Sequence, residues 1–169
     1  MSTLIPNDRI QIRLKEIAQQ INERYDEITL VVTLTGGVFT AIDLSKYIKI
    51  PVKFEFVKIS SYGHAEESGI VELKWMSANK GEHLGNVLIV DDIYDTGNTM
   101  DFLIKYIKNN YTYSKLDTMV LLEKPARREK QIDITYTGFT IDNLFVYGYG
   151  LDLADYERNL LDIMVNDGK

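Results

Sequence analysis

Three short runs of this chain are apolar almost without interruption: Ile28–Leu34, residues 86–91 and residues 116–122. A strand with one wet face alternates apolar and polar residues, whereas a strand buried on both faces reads as a continuous apolar run. Helix-period segments separate these runs. Ile10, Leu14, Ile17 and Ile21 recur at helical spacing, as do Met100, Leu103, Ile104 and Ile107. Asn7 or Asp8 is placed to cap the first helix. Gly36-Gly37 ends the first run, and residues 38–47 read as a further helix. Pro51 opens a strand at 52–59. Shorter strands are expected near 132–137 and 144–147, and the tail from Leu153 reads as irregular or helical. Strands alternating with helices predict an α/β fold with a mainly parallel sheet flanked by helices on both faces. Ligands of such sheets bind beyond the carboxyl ends of the strands. The loops after Leu34 and after Val90 both leave such ends, so they share one rim.

The 169 residues include only three Pro, with no repeat and no Ser/Gly-rich linker, so one domain over 1–169 is expected. Residues 60–85 are polar and Gly-dotted. A loop of that length in a compact domain is usually functional, and a mobile active-site loop is expected there, with a short strand at 71–75. The net charge is −6, which makes the chain a poor general binder of a nucleic-acid backbone. No Cys is present, so disulfides and thiolate metal sites are excluded. That absence suits a cytoplasmic protein. No apolar run approaches the ~20 residues that span a bilayer, and residues 1–9 lack the apolar core of a secretory signal. His64 and His83 lack metal-ligand spacing and read as ordinary loop residues.

The chemistry concentrates in Val87-Leu-Ile-Val-Asp-Asp-Ile-Tyr-Asp-Thr-Gly-Asn-Thr99. An apolar strand delivers two adjacent carboxylates, Asp91 and Asp92, and Asp95 follows in the turn. Thr96, Gly97, Asn98 and Thr99 then open a helix. A helix N-terminus offers free N–H groups to an anion, Gly97 permits close backbone approach, and the Thr hydroxyls can donate. Thr96–Thr99 is therefore a candidate phosphate cradle. Asp and Thr before a helix are common as simple caps. Two carboxylates at the end of a buried strand are costly to leave unpaired, however, which favours a site. Carboxylates beside the cradle suit sugar hydroxyls or a metal, so the whole describes a ribose 5-phosphate.

This run resembles the phosphoribosyl pyrophosphate (PRPP) signature of the purine phosphoribosyltransferases, most closely their hypoxanthine(-guanine) branch. Four further segments agree in the family's order: Leu34-Thr-Gly-Gly37, Ser60-Ser-Tyr-Gly63, Leu122-Glu-Lys-Pro125 and Phe145-Val-Tyr-Gly-Tyr-Gly-Leu-Asp152. The resemblance implies a type I phosphoribosyltransferase-like fold with a small hood built from the N- and C-terminal segments. It implies Mg²⁺-dependent transfer of ribose 5-phosphate from PRPP to N9 of a 6-oxopurine, giving IMP or GMP and pyrophosphate in purine salvage. Asp95 then matches the general base at purine N7, and Asp91 and Asp92 the pair on the ribose hydroxyls. Lys124 matches the donor to the 6-oxo group, and Phe145 the ring that stacks on the base. The Val146 backbone faces the base edge. Asp152 matches a Mg²⁺ ligand, and Arg158 an arginine reaching pyrophosphate. Thr35 and Gly36 fall in the pyrophosphate loop, where the peptide ahead of the glycine is often cis. Ser61 and Tyr62 fall in the loop that closes over the reacting centre.

Two positions depart from the family pattern. Asp91 stands where relatives more often have Glu, and Thr35 where they usually carry Lys or Arg. The second change keeps a backbone grip on pyrophosphate and loses a side-chain charge. The expected partners are small molecules, PRPP and a 6-oxopurine, with no nucleic acid and no membrane. Family analogy adds a homodimer or homotetramer and a cytoplasmic location. The alternatives are a sister enzyme preferring xanthine or guanine, and a non-catalytic PRPP or nucleotide sensor on the same fold, such as an RNA-binding regulator.

Overall fold

A computed structural model describes residues 1–62 and 70–166. In chain order the elements are β1 (Ser2–Ile5), α1 (Asn7–Arg24), β2 (Ile28–Leu34), α2 (Gly37–Ser45), β3 (Val52–Tyr62) and β4 (Ile70–Met76). They continue with β5 (Asn86–Tyr94), α3 (Asn98–Asn110), β6 (Lys115–Glu123), a 3-10 turn (Pro125–Arg127), β7 (Tyr136–Thr140), β8 (Val146–Tyr147) and β9 (Ile163–Val165). The main sheet has the order β4-β3-β2-β5-β6-β7. All its pairings are parallel except β3 with β4.

The continuous apolar runs have a direct cause. Successive strand residues point to opposite faces, and each face has its own core. Leu30, Val32, Leu88, Val90, Met119 and Leu121 join Leu14, Ile17 and Ile21 of α1 on one side. Val31, Val87, Ile89 and Val120 join Met100, Leu103 and Ile107 of α3 on the other. The α/β sheet covered on both faces is as the sequence predicts.

Several local expectations are corrected. β5 runs on to Tyr94, so Asp91 and Asp92 belong to the strand rather than to the loop beyond it. Neither Asn7 nor Asp8 caps α1, because Pro6 occupies the cap position. The Asn7 N–H instead donates to Asp162 Oδ1 at 2.8 Å, and Asp8 accepts from the Arg9 N–H. The strand expected at 132–137 lies at Tyr136–Thr140. Ahead of it, the Thr118 N–H donates to Thr135 Oγ1, a side-chain bond in place of the ladder. The tail from Leu153 carries β9, and β1 was not foreseen. Together with β8 these form a second, antiparallel sheet in the order β1-β9-β8. This is the hood, built from both chain ends. Part of the segment expected to be a loop at 60–85 is strand, since β3 extends to Tyr62 and β4 holds the short strand foreseen at 71–75. Residues 63–69, with His64, lie outside the described residues.

Side-chain bonds fasten the hood to the helices. Tyr149 Oη donates to Asp43 Oδ2 on α2 at 2.6 Å, and Gln11 Nε2 of α1 donates to the same oxygen at 2.9 Å. Tyr47 Oη donates to Gln11 Oε1 at 2.7 Å.

Candidate active site

β2 and β5 are parallel neighbours, so the turns at their carboxyl ends meet. The Leu34–Thr35 peptide is cis. Gly36 lies directly against β5: a Cβ there would sit 1.7 Å from Asp92 Oδ2. A Cβ on Gly37 would lie 2.5 Å from Thr33 Oγ1 and 2.9 Å from the Val90 carbonyl oxygen. A side chain at Gly37 pushes the turn off the strand, and one at Gly36 displaces either the turn or the Asp92 carboxylate. Gly150 closes in from the hood at φ +95°, and a Cβ there would stand 2.5 Å from the Gly36 carbonyl oxygen.

Asp91 is buried. Its Oδ1 accepts from Thr33 Oγ1 at 2.6 Å and from the Asp92 N–H at 2.9 Å. Burial raises its carboxyl above the usual value, and these donors pull the other way. Asp92 is pushed well above the usual carboxylate range, first by burial and then by the Asp91 charge beside it. Arg158 opposes that shift. Asp95 follows β5. Its Oδ2 pairs with Arg127 Nη1 at 3.1 Å, while its Oδ1 is buried without a hydrogen-bond partner. Lys124 follows β6 and is buried. Its N–H donates to the Tyr94 carbonyl at 2.9 Å. Burial lowers its ammonium pKa, and the Asp95 charge opposes the change.

Gly97 adopts φ +91° immediately before α3, a left-handed conformation that glycine takes without steric cost. α3 starts at Asn98, so Thr96 and Gly97 precede the helix rather than open it. The Asn98 N–H donates to Thr96 Oγ1 at 3.3 Å, and its side-chain amide donates to Glu129 Oε2 at 3.1 Å. On the hood side Arg158 Nη2 pairs with Asp152 Oδ1 at 3.2 Å, and Nη1 donates to the Gly150 carbonyl at 2.7 Å. Asp152 Oδ2 accepts from the Asp155 N–H at 3.1 Å.

One cavity of about 540 Å³ gathers most of the residues singled out from the sequence. Thr35, Gly36, Ser61, Asp91, Asp92, Asp95, Thr96, Gly97, Thr99, Asp152 and Arg158 all line it. Asn98, Lys124, Phe145 and Val146 do not. Phe145 is 54% exposed, beside the buried Val146 of β8. Tyr62 ends β3. Sequence reasoning missed Thr33, which holds Asp91, Arg127, which pairs with Asp95, and Gly150, which packs on Gly36. Only Arg127 carried a local signal, three residues beyond Lys124.

The raised Asp92 carboxyl gives stability a pH dependence. Between 3.8 and its raised value the folded chain binds more protons than the unfolded one. Stability therefore falls as pH rises through that window. Asp92→Asn is expected to melt higher than the parent at pH 7 and to lose less stability as pH rises above about 4. Thermal melts of both ligand-free proteins across pH check this.

The profile of the phosphoribosyl transferase domain matches residues 2–153. A hypoxanthine-guanine phosphoribosyltransferase of Mycobacterium avium is 34% identical, over 94% of this chain and 82% of that protein. A hypoxanthine phosphoribosyltransferase of Salmonella typhimurium is 34% identical, over 95% of this chain and 92% of the relative. Among solved structures, a hypoxanthine-guanine phosphoribosyltransferase from Bacillus anthracis superposes with a TM-score of 0.89 at 36% identity, covering 98% of each chain. The Trypanosoma cruzi hypoxanthine phosphoribosyltransferase in complex with the product IMP gives 0.83 at 32% identity, over 96% of this chain and 92% of that one. At this identity and coverage, and with the same fold, the chain belongs to the phosphoribosyltransferase family, in its hypoxanthine(-guanine) branch.

Proposed function

We propose that the chain transfers ribose 5-phosphate from PRPP to N9 of a 6-oxopurine, hypoxanthine first and guanine next, releasing pyrophosphate. The observation that carries this is the packing of the turn after β2 against the carboxyl end of β5 at one rim. The Thr35-Gly36 turn lies against Asp92, beside the Thr96–Thr99 cradle.

The residues divide the work. Amides and hydroxyls of Thr96 to Thr99 receive the 5-phosphate. Asp91 and Asp92 accept from the ribose hydroxyls, which relieves two carboxylates crowded in the ligand-free chain. Thr35, Gly36 and Arg158 take the pyrophosphate. The bond from the sugar C1 to pyrophosphate breaks with its electron pair leaving on oxygen, while N9 forms the new bond. Positive charge builds on the ring between the two events, as in glycoside cleavage. Asp95, which lines the cavity, accepts the proton at N7. Lys124 donates to the 6-oxo group, and Phe145 stacks on the base. A donor at that position favours a 6-oxopurine over adenine, whose 6-amino group is itself a donor. Ser61 and Tyr62 belong to the closing segment that excludes water.

The residues fit Mg²⁺ in one specific way. Among the described residues no cluster of three or more acidic, His or Cys side chains could cage a metal. Mg²⁺ keeps several waters and binds through one or two carboxylates plus substrate phosphates. Asp152, half-exposed at the cavity edge, suits that. Four carboxylates line the cavity with Arg158 as the cationic side chain among them, a setting that repels pyrophosphate unless a cation accompanies it. Bound there, Mg²⁺ neutralises charge on the departing pyrophosphate.

Self-association belongs to the same proposal. Phe54 and Phe56 stack with their centroids 6.1 Å apart, and Trp75 pairs with Lys58 on the same face of the sheet. Trp75 is 51% exposed and Ile42 of α2 is 39% exposed. Such an apolar strip suits a second copy of this chain. Among the described residues no helix is long and apolar enough to cross a membrane. A cytoplasmic location, which the lack of Cys suits, completes the proposal.

Steady-state assays with PRPP, Mg²⁺ and each base are expected to show turnover of hypoxanthine and guanine and none of adenine. Asp95→Asn is expected to lower kcat by about 10²–10⁴, and chelation of the metal to abolish turnover. Turnover of adenine, or full activity in the variant, overturns the assignment. Thr35→Lys restores a charge at the pyrophosphate turn, so PRPP is expected to bind severalfold tighter by calorimetry; an unchanged Kd shows that a side-chain charge at residue 35 does not set PRPP affinity. Light scattering on the eluting protein is expected to give the mass of a dimer or tetramer.

A further inference from the structure

Tyr94 ends β5, one residue before Asp95, and is 2% exposed. Its ring lies against the phosphate cradle: a Cβ on Gly97 would stand 2.7 Å from it. The Arg128 guanidinium lies over the same ring, 4.1 Å from its centroid. The Tyr94 hydroxyl is fully used. It donates to the Lys130 carbonyl at 2.6 Å and accepts from the Ile132 N–H at 3.0 Å. Ring and hydroxyl together clamp residues 128–132.

That segment in turn grips the cradle. The N–H groups of Glu129 and Lys130 both donate to the Thr96 carbonyl, each at 2.9 Å. In a trans peptide the C=O and the N–H point in opposite directions. With the Thr96 carbonyl captured by Glu129 and Lys130, the Gly97 N–H is turned away from them. Thr96 and Gly97 line the cavity, whereas Glu129 and Lys130 do not. The Asn98 side chain bonds to Glu129 as well, so both ends of the turn are tied to one segment.

We infer that Tyr94 is a positioning residue for the phosphoribosyl ligand: its hydroxyl fixes the 129–132 segment, and that segment aims the cradle amides at the 5-phosphate. Tyr94 lines the cavity, but its hydroxyl is committed to the 129–132 segment. The hydroxyl bridges two part-buried backbone groups, the Lys130 carbonyl and the Ile132 N–H, which lose that partner without it. The inference rests on the proposed function in one respect, that the cradle receives the 5-phosphate.

Tyr94→Phe in the full chain keeps the ring and removes only the bridge. Calorimetry with PRPP and no base, run beside steady-state kinetics, is the test. Kd and KM for PRPP are expected to rise together by about three- to tenfold, with kcat at saturating PRPP and KM for the base within about twofold of the parent. Hydrogen exchange at the Glu129 and Lys130 amides is expected to speed up. A variant that melts lower yet binds PRPP with the parent's Kd overturns the inference and leaves the proposed function standing. A parent that binds PRPP but turns over no purine overturns the proposed function, and Tyr94 is still judged on Kd. A parent that binds no PRPP overturns both. Arg128→Gln loosens the same clamp from the other face of the ring and guards against misfolding of the first variant; its PRPP Kd is expected to rise about two- to threefold, and an unchanged value counts against the clamp.

Discussion

The Asp92 carboxylate fills the space where a side chain on residue 36 would begin, and the architecture of the rim depends on that contact. Gly36 and Gly37 bring the turn after β2 onto β5, and Gly150 brings the hood onto the turn. Three segments distant in sequence thus converge on two adjacent carboxylates. Their burial raises both pKa values and is unfavourable in the ligand-free chain. Strands buried on both faces supply the stability that offsets it.

The hood carries the second half of the site. Asp152 and Arg158 lie on a stretch secured by short contacts rather than long strands. The Gly150 N–H donates to the Arg158 carbonyl, and the Arg158 guanidinium returns to the Gly150 carbonyl. Tyr149 anchors this stretch to Asp43 on α2, the helix that begins at the Thr35-Gly36 turn. That turn and the hood are thereby joined through one helix.

The Lys124 side and the Thr96–Thr99 side of the rim are joined in a comparable way. The Lys124 N–H is held by the Tyr94 carbonyl, the Thr96 carbonyl is held by the 129–130 amides, and Arg127 reaches Asp95. The segment that carries Lys124 is therefore the one that shapes the Thr96–Thr99 turn.

The sequence by itself determined the main sheet and the order of the site. Apolar residues at consecutive strand positions require two cores, two cores require helices on both faces, and parallel strands put the β2 and β5 turns on the same rim. The five family segments marked most of the cavity residues in advance. Tertiary structure alone decided the rest. β1, β8 and β9 are strands of two to four residues, too short to carry a period, and β1 finds its partner at the opposite end of the chain. The cap of α1 comes from Asp162, 155 residues away, where no local motif could reveal it. Thr33, Gly150 and Tyr94 look like ordinary strand or turn residues until their neighbours are in place. Periodicity records which face a residue presents; it is silent on what packing, across the length of the chain, brings to that face.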